Sequence, residues 1–210
     1  MSETRPSSAV ASACGPTASA AALRSIFTSA VVLGGIAIVV GCSKGTDDSG
    51  ADGASTADLD PDTLPQGVAP CRAPLLVEVN WNLDGDTIEV TTANGEERVR
   101  FIGVDAPEIA HYDDPADCWG PESADYTESL LPVGTKVWLT FDRGCKDAYD
   151  RTLAYLHLDA SETGFIQRQM LRNGLARTMT FEETSTFAQA FADDEQDARE
   201  QGSGLWSACR

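Results

Sequence analysis

The stretch from Val99 to Glu108, VRFIGVDAPE, constrains this chain more than any other. Five of its first six residues are apolar or Gly, the pattern of a strand buried on both faces. Pro107 must end that strand, because proline has no amide hydrogen for the ladder. Asp105 and Glu108 then stand just past the strand end, where a sheet opens towards water, metal or substrate. Arg100 enters the same neighbourhood inside the apolar run and cannot lose its charge there, so it needs an anionic partner, for which phosphate and Glu108 are both available.

The 210 residues suffice for one domain with appendages. The formal net charge of −18 excludes a membrane-surface patch or a general polyanion glue. Arg24 precedes an apolar run over residues 26–41, sixteen positions, shorter than the ~20 that a spanning helix needs. The run ends in Val39-Val40-Gly41-Cys42, which resembles a bacterial lipobox, where the cysteine is acylated and becomes the new N-terminus. Residues 1–42 are therefore expected to be a lipoprotein signal, with Cys42 as the lipidation site. Export and a lipid anchor at the cell envelope follow, at the outer membrane in a cell that has one. Residues 43–70, rich in Gly, Ser, Asp, Thr, Ala and Pro, carry too little apolar surface to offset their ordering entropy, and a disordered tether is expected there. The domain proper is expected over 71–210.

That domain retains Cys71, Cys118, Cys145 and Cys209. An even count, an oxidising compartment and no CxxC spacing point to two disulfides rather than a metal site. Three connectivities remain open. The favoured one joins Cys71 to Cys209, stapling the domain ends, and Cys118 to Cys145, linking two loops.

Five short segments rich in β-branched and aromatic residues read as strands: 75–81, 87–92, 98–104, 136–142 and 152–158. Asn94-Gly95 marks a hairpin between the second and third. Helices are expected over 121–131, opening on Pro121, over 165–172, stopped by Asn173-Gly174, and over 185–201. In the last, Phe187, Phe191 and Ala198 share a stripe, with Asp193, Asp194 and Glu195 largely off it. The set is compatible with a five-stranded OB-fold barrel carrying about three helices, an α+β arrangement.

In Asp86-Thr87-Ile88-Glu89-Val90, Asp86 shares a face with Ile88 and Val90. A carboxylate on the core side of a strand is costly unless a cation or several donors meet it. Asp105, ending the neighbouring strand, can converge on the same point, and two carboxylates with a backbone carbonyl and waters make an oxygen site for a hard cation. His111 sits in an acidic loop and reads as solvated. His157 alternates with apolar residues in a strand and reads as packed or half-exposed.

Four segments occur in the order found in the staphylococcal nuclease-like (thermonuclease) family: Asp84-Gly85-Asp86-Thr87, VRFIGVDAPE, Asp147-Ala148-Tyr149-Asp150-Arg151 with Leu153-Ala154-Tyr155, and Gly204-Leu205-Trp206. The chain resembles that family over roughly residues 74–206. The resemblance implies an OB-type barrel that hydrolyses DNA or RNA without base specificity, uses Ca2+, acts as a monomer and leaves 3′-phosphate ends. It further implies that Asp86, Asp105 and the backbone carbonyl of Ala106 hold the metal. Glu108 would activate water, Arg100 and Arg151 would clamp the phosphoryl group, and Tyr149 would contact phosphate.

Three departures stand out. Ala106 replaces a frequent Thr, Asp150 replaces the Gly before the arginine, and Thr180 and Glu182 stand where the best-known members have base-stacking tyrosines. Residues 71–210 carry 12 Lys plus Arg against 26 Asp plus Glu, with Arg168, Arg172 and Arg177 as the one basic run. The rival reading is a non-catalytic OB-type surface module binding nucleic acid, glycan or protein.

Overall fold

The computed structural model describes residues 55–209. The expected signal segment with Cys42, and residues 43–54 of the expected tether, lie outside the described residues. Strand periodicity builds the barrel. In β2 (Thr87–Thr92), Ile88 and Val90 are fully buried while Glu89 between them is not, and the same alternation buries Val77 and Val79 in β1 (Leu75–Asn82). With β3 (Gly95–Phe101), β5 (Lys136–Thr140) and β6 (Thr152–His157), these strands close in the order β1-β2-β3-β6-β5. All pairings are antiparallel except β3 with β6. The expected five-stranded OB barrel is the fold.

The third expected strand is two. Gly103 has φ +82°, and a Cβ there would come within 2.4 Å of the Phe191 ring, so the chain bends at glycine and the aromatic packs into the bend. Beyond it, β4 (Gly103–Asp105) pairs with β7 (Arg177–Met179), a short strand that periodicity could not reveal.

Four α-helices stand among the described residues. They are α1 (Gly120–Leu130), α2 (Ile166–Arg172), α3 (Ala188–Gln201) and the single turn α4 (Leu205–Ala208). Among the described residues no helix is long and apolar enough to cross a membrane. From α2, Ile166, Met170 and Leu171 enter the core, and the Gln167 amide accepts from Leu156 N (3.1 Å) and donates to Ala154 O (3.0 Å). Asp194 and Glu195 of α3 are buried, against expectation. Asp194 takes Arg168 Nε (2.6 Å) and Arg172 Nε (2.8 Å), and Glu195 takes the Thr178 hydroxyl and Arg199. Pairing is what makes such burial tolerable.

Two further expectations are corrected. Residues 55–70 are no free tether: two 3-10 turns (Thr56–Asp58 and Pro61–Thr63) run alongside β5, with Leu64 buried. Trp138 Nε1 donates to Thr56 O (2.7 Å) and Thr140 Oγ1 to Pro65 O (2.6 Å), so backbone carbonyls anchor a strap that its composition alone would leave loose. The disulfides are Cys71–Cys145 and Cys118–Cys209. The two cysteines nearest the domain ends do not meet: Cys71 N is held by Asp142 O (2.7 Å), beside the loop bearing Cys145, whereas α4 docks through Leu205 N on Gly174 O (2.9 Å).

His157 is fully buried, its ring 4.4 Å from that of Phe165 and its Nε2 3.0 Å from Thr140 Oγ1. Because Thr140 gives its proton to Pro65 O, the imidazole carries its proton on Nε2. Burial lowers its pKa from 6.5 to about 4. The unfolded chain takes up the proton first as pH falls, so this stability is complete above the unfolded value and is lost as pH drops towards the folded one. Urea unfolding at pH 7 and pH 4.5 should therefore show roughly 2–3 kcal/mol of loss traceable to this ring. A His157→Gln variant should show that much less pH dependence; an equal dependence would reassign it.

Candidate functional site

The acid turn between β1 and β2 is held from beneath by α1. Thr127 Oγ1 donates to Gly85 O (2.6 Å), and a Cβ on Gly85 would lie 2.4 Å from Ser123 Oγ and 2.6 Å from the Ala106 Cβ. Only glycine lets the turn approach so closely. Asp84 Oδ1 accepts from Asp86 N (2.9 Å), which directs the Asp86 side chain inwards. Ser123 and Thr127, one helical turn apart, are positioning residues that sequence reasoning missed; two hydroxyls at i and i+4 were their one signal.

Asp86, Arg100 and Asp105 meet, so the acids that Arg100 takes are these two and not the expected Glu108. Arg100 Nη1 lies 2.7 Å from Asp86 Oδ2 and donates to Val104 O (2.8 Å), while Nη2 donates to Asp105 Oδ1 (2.9 Å). Both the arginine and Asp86 are buried, and the Asp105 side chain is half exposed. Ala106 contributes its N–H to Asp86 Oδ2 (2.7 Å). Burial pushes the Asp86 carboxyl up to about 7; Arg100 pulls it down, Asp84 pushes it further up, and the Ala106 amide and Thr87 hydroxyl pull it down. One guanidinium shared between two acids thus leaves Asp86 short of positive charge.

Arg151 is oriented by an acid that the expected site omitted. Asp147 Oδ1 accepts from the backbone N–H of Tyr149 and of Arg151 (both 2.9 Å), and Oδ2 accepts from Arg151 Nε (2.7 Å). This is an Asx turn, for which an Asp four residues before the Arg was a legible signal. Burial opposes ionisation of Asp147, but the bonds from Arg151 and Tyr149 outweigh it and hold the carboxyl below its usual range. The Arg151 guanidinium sits 5.5 Å over the exposed Tyr149 ring, and its terminal N–H groups have no partner among the described residues. Asp150, where a glycine was expected, has φ 64° and accepts from Lys146 Nζ through its carbonyl (3.0 Å), so the position does demand the left-handed region.

Arg100 and Arg151 line one cleft of about 620 Å³, together with Asp147, Tyr149, Met179 and Phe181. Asp86 and Asp105 reach it through Arg100 rather than by lining it. Glu108 stands apart: its side chain is exposed, 3.8 Å from His111 Nε2, and its backbone is clasped to Asp117. The basic run is consumed internally, since Arg168 and Arg172 pair with Asp194 and Glu162 and Arg177 lies 5.5 Å over Trp206.

A family model described as staphylococcal nuclease homologue matches residues 98–208. An SPbeta prophage-derived endonuclease, YokF, of Bacillus subtilis (strain 168) is 32% identical over 136 residues, 63% of this chain and 45% of its own length. A thermonuclease of Staphylococcus hyicus is 31% identical over 125 residues, 60% of this chain and 72% of its own. Endonuclease YncB of Bacillus subtilis (strain 168) is 32% identical over 133 residues, 62% and 61% of the two chains. The match thus spans less than two thirds of either Bacillus relative.

Removing the shared cation should expose the cost of the buried acid. In calcium-free buffer, Arg100→Met is expected to lose about 3–5 kcal/mol of unfolding free energy. The loss should be larger at pH 8 than at pH 5.5, where Asp86 can take up a proton, and adding Asp86→Asn should recover part of it. A loss under about 1 kcal/mol, unchanged with pH, would mean that the junction is not the anchor described.

Proposed function

Because the chain belongs to the staphylococcal nuclease homologue family, we propose that it is a calcium-dependent phosphodiesterase cleaving DNA or RNA without base specificity. It acts as a monomer, exported and held at the cell envelope by a lipid on Cys42. The observation that carries this reading is the cleft wall itself. Arg100, fixed by two carboxylates, and Arg151, fixed by Asp147, face one cavity sized for a nucleotide. Placed guanidiniums stabilise the charge that builds on phosphorus during phosphodiester cleavage.

The donor set suits calcium, a hard cation that takes about six to eight oxygens. Asp86 Oδ1 accepts only the Thr87 hydroxyl (3.1 Å), and Asp105 Oδ2 has no partner among the described residues, so each acid keeps an oxygen after satisfying Arg100. No three His, Cys, Asp or Glu side chains are gathered among the described residues, so the Ala106 carbonyl, substrate and water would complete the shell. When bound, calcium supplies neutralising charge to a phosphoryl oxygen. Glu108 accepts the proton of the attacking water from its solvated loop. Arg100 donates its remaining N–H groups to phosphate, as does Arg151 with its terminal ones. Tyr149 contacts phosphate, and Phe181, exposed between Thr180 and Glu182, offers a base the aromatic face that those two positions lack. Two disulfides support an oxidising destination.

One observation favours the rival, a non-catalytic binding module: with Arg168 and Arg172 spent on Asp194, the domain's surface is left strongly acidic. Plasmid and single-stranded DNA incubated with calcium or with chelator separate the two readings. Cleavage with calcium only, leaving 3′-phosphate ends, is expected, and no cleavage at any calcium concentration removes the enzyme. Glu108→Gln should lower kcat by about 10²–10³ with KM little changed. Cys42→Ser should abolish incorporation of labelled fatty acid in the cell.

A further inference from the structure

The five barrel strands contain no cysteine, and each disulfide instead ends on a loop that carries one of the proposed reacting groups. Residues 143–151, with Arg151 and its orienting Asp147, include no buried residue; nor do residues 108–118, which begin at Glu108. Segments without buried apolar contacts sit at the low end of local stability, so something else must hold these two in place.

The first loop has backbone ties, Gly144 N to Glu183 O (3.1 Å) among them, and one covalent tie, Cys145. Its partner Cys71 is seated just past the end of β5 by Asp142 O, and the next residue, Arg72, reaches Glu97 (3.5 Å), which also accepts from Thr152 Oγ1 (2.6 Å). From Cys145 the anchoring runs on through its carbonyl, which accepts from Leu153 N (2.9 Å), and through the bridge between Lys146 and Thr152, to Asp147 and so to Arg151. For the second loop the tie is Cys118. Asp117 N donates to Glu108 O (2.9 Å) and Asp117 Oδ2 accepts from Glu108 N (3.3 Å), closing the loop's neck one residue from the sulphur. Cys209 then binds that neck to α4, whose Leu205 is buried.

We propose that the two disulfides are positioning devices for the two halves of the machinery, Cys71–Cys145 for Arg151 and Cys118–Cys209 for Glu108, and that activity is thereby conditional on oxidation. This rests on the nuclease reading above. Reduction by a dithiol balances simply: one thiolate attacks a cystine sulphur and releases the first cysteine thiol. The second thiolate then closes the reductant's own disulfide and releases the other, two electrons and two protons entering each cystine. The reduced chain keeps its barrel and loses the placement of both loops. Inside a reducing compartment such a chain is harmless to the nucleic acid of the cell that makes it. It becomes active after export, where exchange with a disulfide-donating oxidoreductase closes the cystines.

The test compares the oxidised full chain with Cys71→Ser/Cys145→Ser and Cys118→Ser/Cys209→Ser, reading calcium-dependent DNA cleavage and amide hydrogen exchange together. The first pair should lower kcat/KM about tenfold, the loss of a charge-assisted contact to the phosphoryl group, and speed exchange in 143–151 alone. The second should lower kcat about a hundredfold with KM within about twofold, the effect of a misplaced base, and speed exchange in 108–118 alone. Exchange in β1–β3 should not change in either. Unchanged loop exchange, or both kinetic constants worsening together in step with lost barrel protection, would reduce the disulfides to bulk stabilisers and overturn the proposal. If the oxidised wild type cleaves nothing, the nuclease reading fails, and the exchange data alone decide whether the loops are positioned. If a double variant does not fold, the wild type is titrated with dithiothreitol under native conditions. Loop exchange should then accelerate before the barrel opens, and a barrel that opens first overturns the proposal.

Discussion

One guanidinium holds the end of the barrel together. Arg100 takes a buried carboxylate from the β1–β2 turn, a half-exposed one from the end of β4 and the carbonyl of Val104. Without it Asp86 would be an uncompensated charge inside an apolar shell, a state that costs several kcal/mol. With it, an acid from a turn and an acid from a strand end are drawn to one guanidinium. The positive charge facing the cleft is also kept from folding away. The bend at Gly103 serves the same junction, because it turns β4 out of the barrel and returns Val104 and Asp105 towards the arginine.

The rest of the charge distribution follows a similar economy. Most arginines among the described residues are assigned an acid: Arg168 and Arg172 to Asp194 and Glu162, Arg199 to Glu195, Arg72 to Glu97. Arg151 differs because its acid, Asp147, binds Nε and leaves the outer N–H groups free. In so acidic a domain, attraction for a polyanion therefore depends on a few oriented groups around the cleft rather than on a broad basic field. Calcium held beside those groups would strengthen that local field without altering the acidic surface elsewhere.

The barrel keeps itself closed with its own ladder and apolar interior, so the covalent cross-links go elsewhere. They tie two loops that have no core residues of their own to the strap before β1 and to the turn of helix at the C-terminus. The strap, anchored on β5 by Trp138 and Thr140, gives Cys71 a fixed seat. Segments that look like ornaments on the sequence are thus joined covalently to two loops that carry no core residue.

The five strands, the two longer helices after β6 and the convergence of Asp86 and Asp105 were legible because they depend on local periodicity; that Arg100 takes both of these acids, rather than Glu108, was not. Residue parity decides which face a side chain takes, and an arginine in an apolar run must find an acid. The chain order of motifs also pointed to the family. What the sequence alone left open was pairing over distance: which cysteines join, that residues 55–70 dock on β5, that β7 exists, and that Asp194 and Glu195 turn inwards. Each depends on where two segments far apart in the chain come to lie, and neither composition nor periodicity carries that information. Only the tertiary structure decided it, by setting Asp142, just past β5, against Cys71 and by docking the last turn of helix on Gly174 with Cys209 against Cys118.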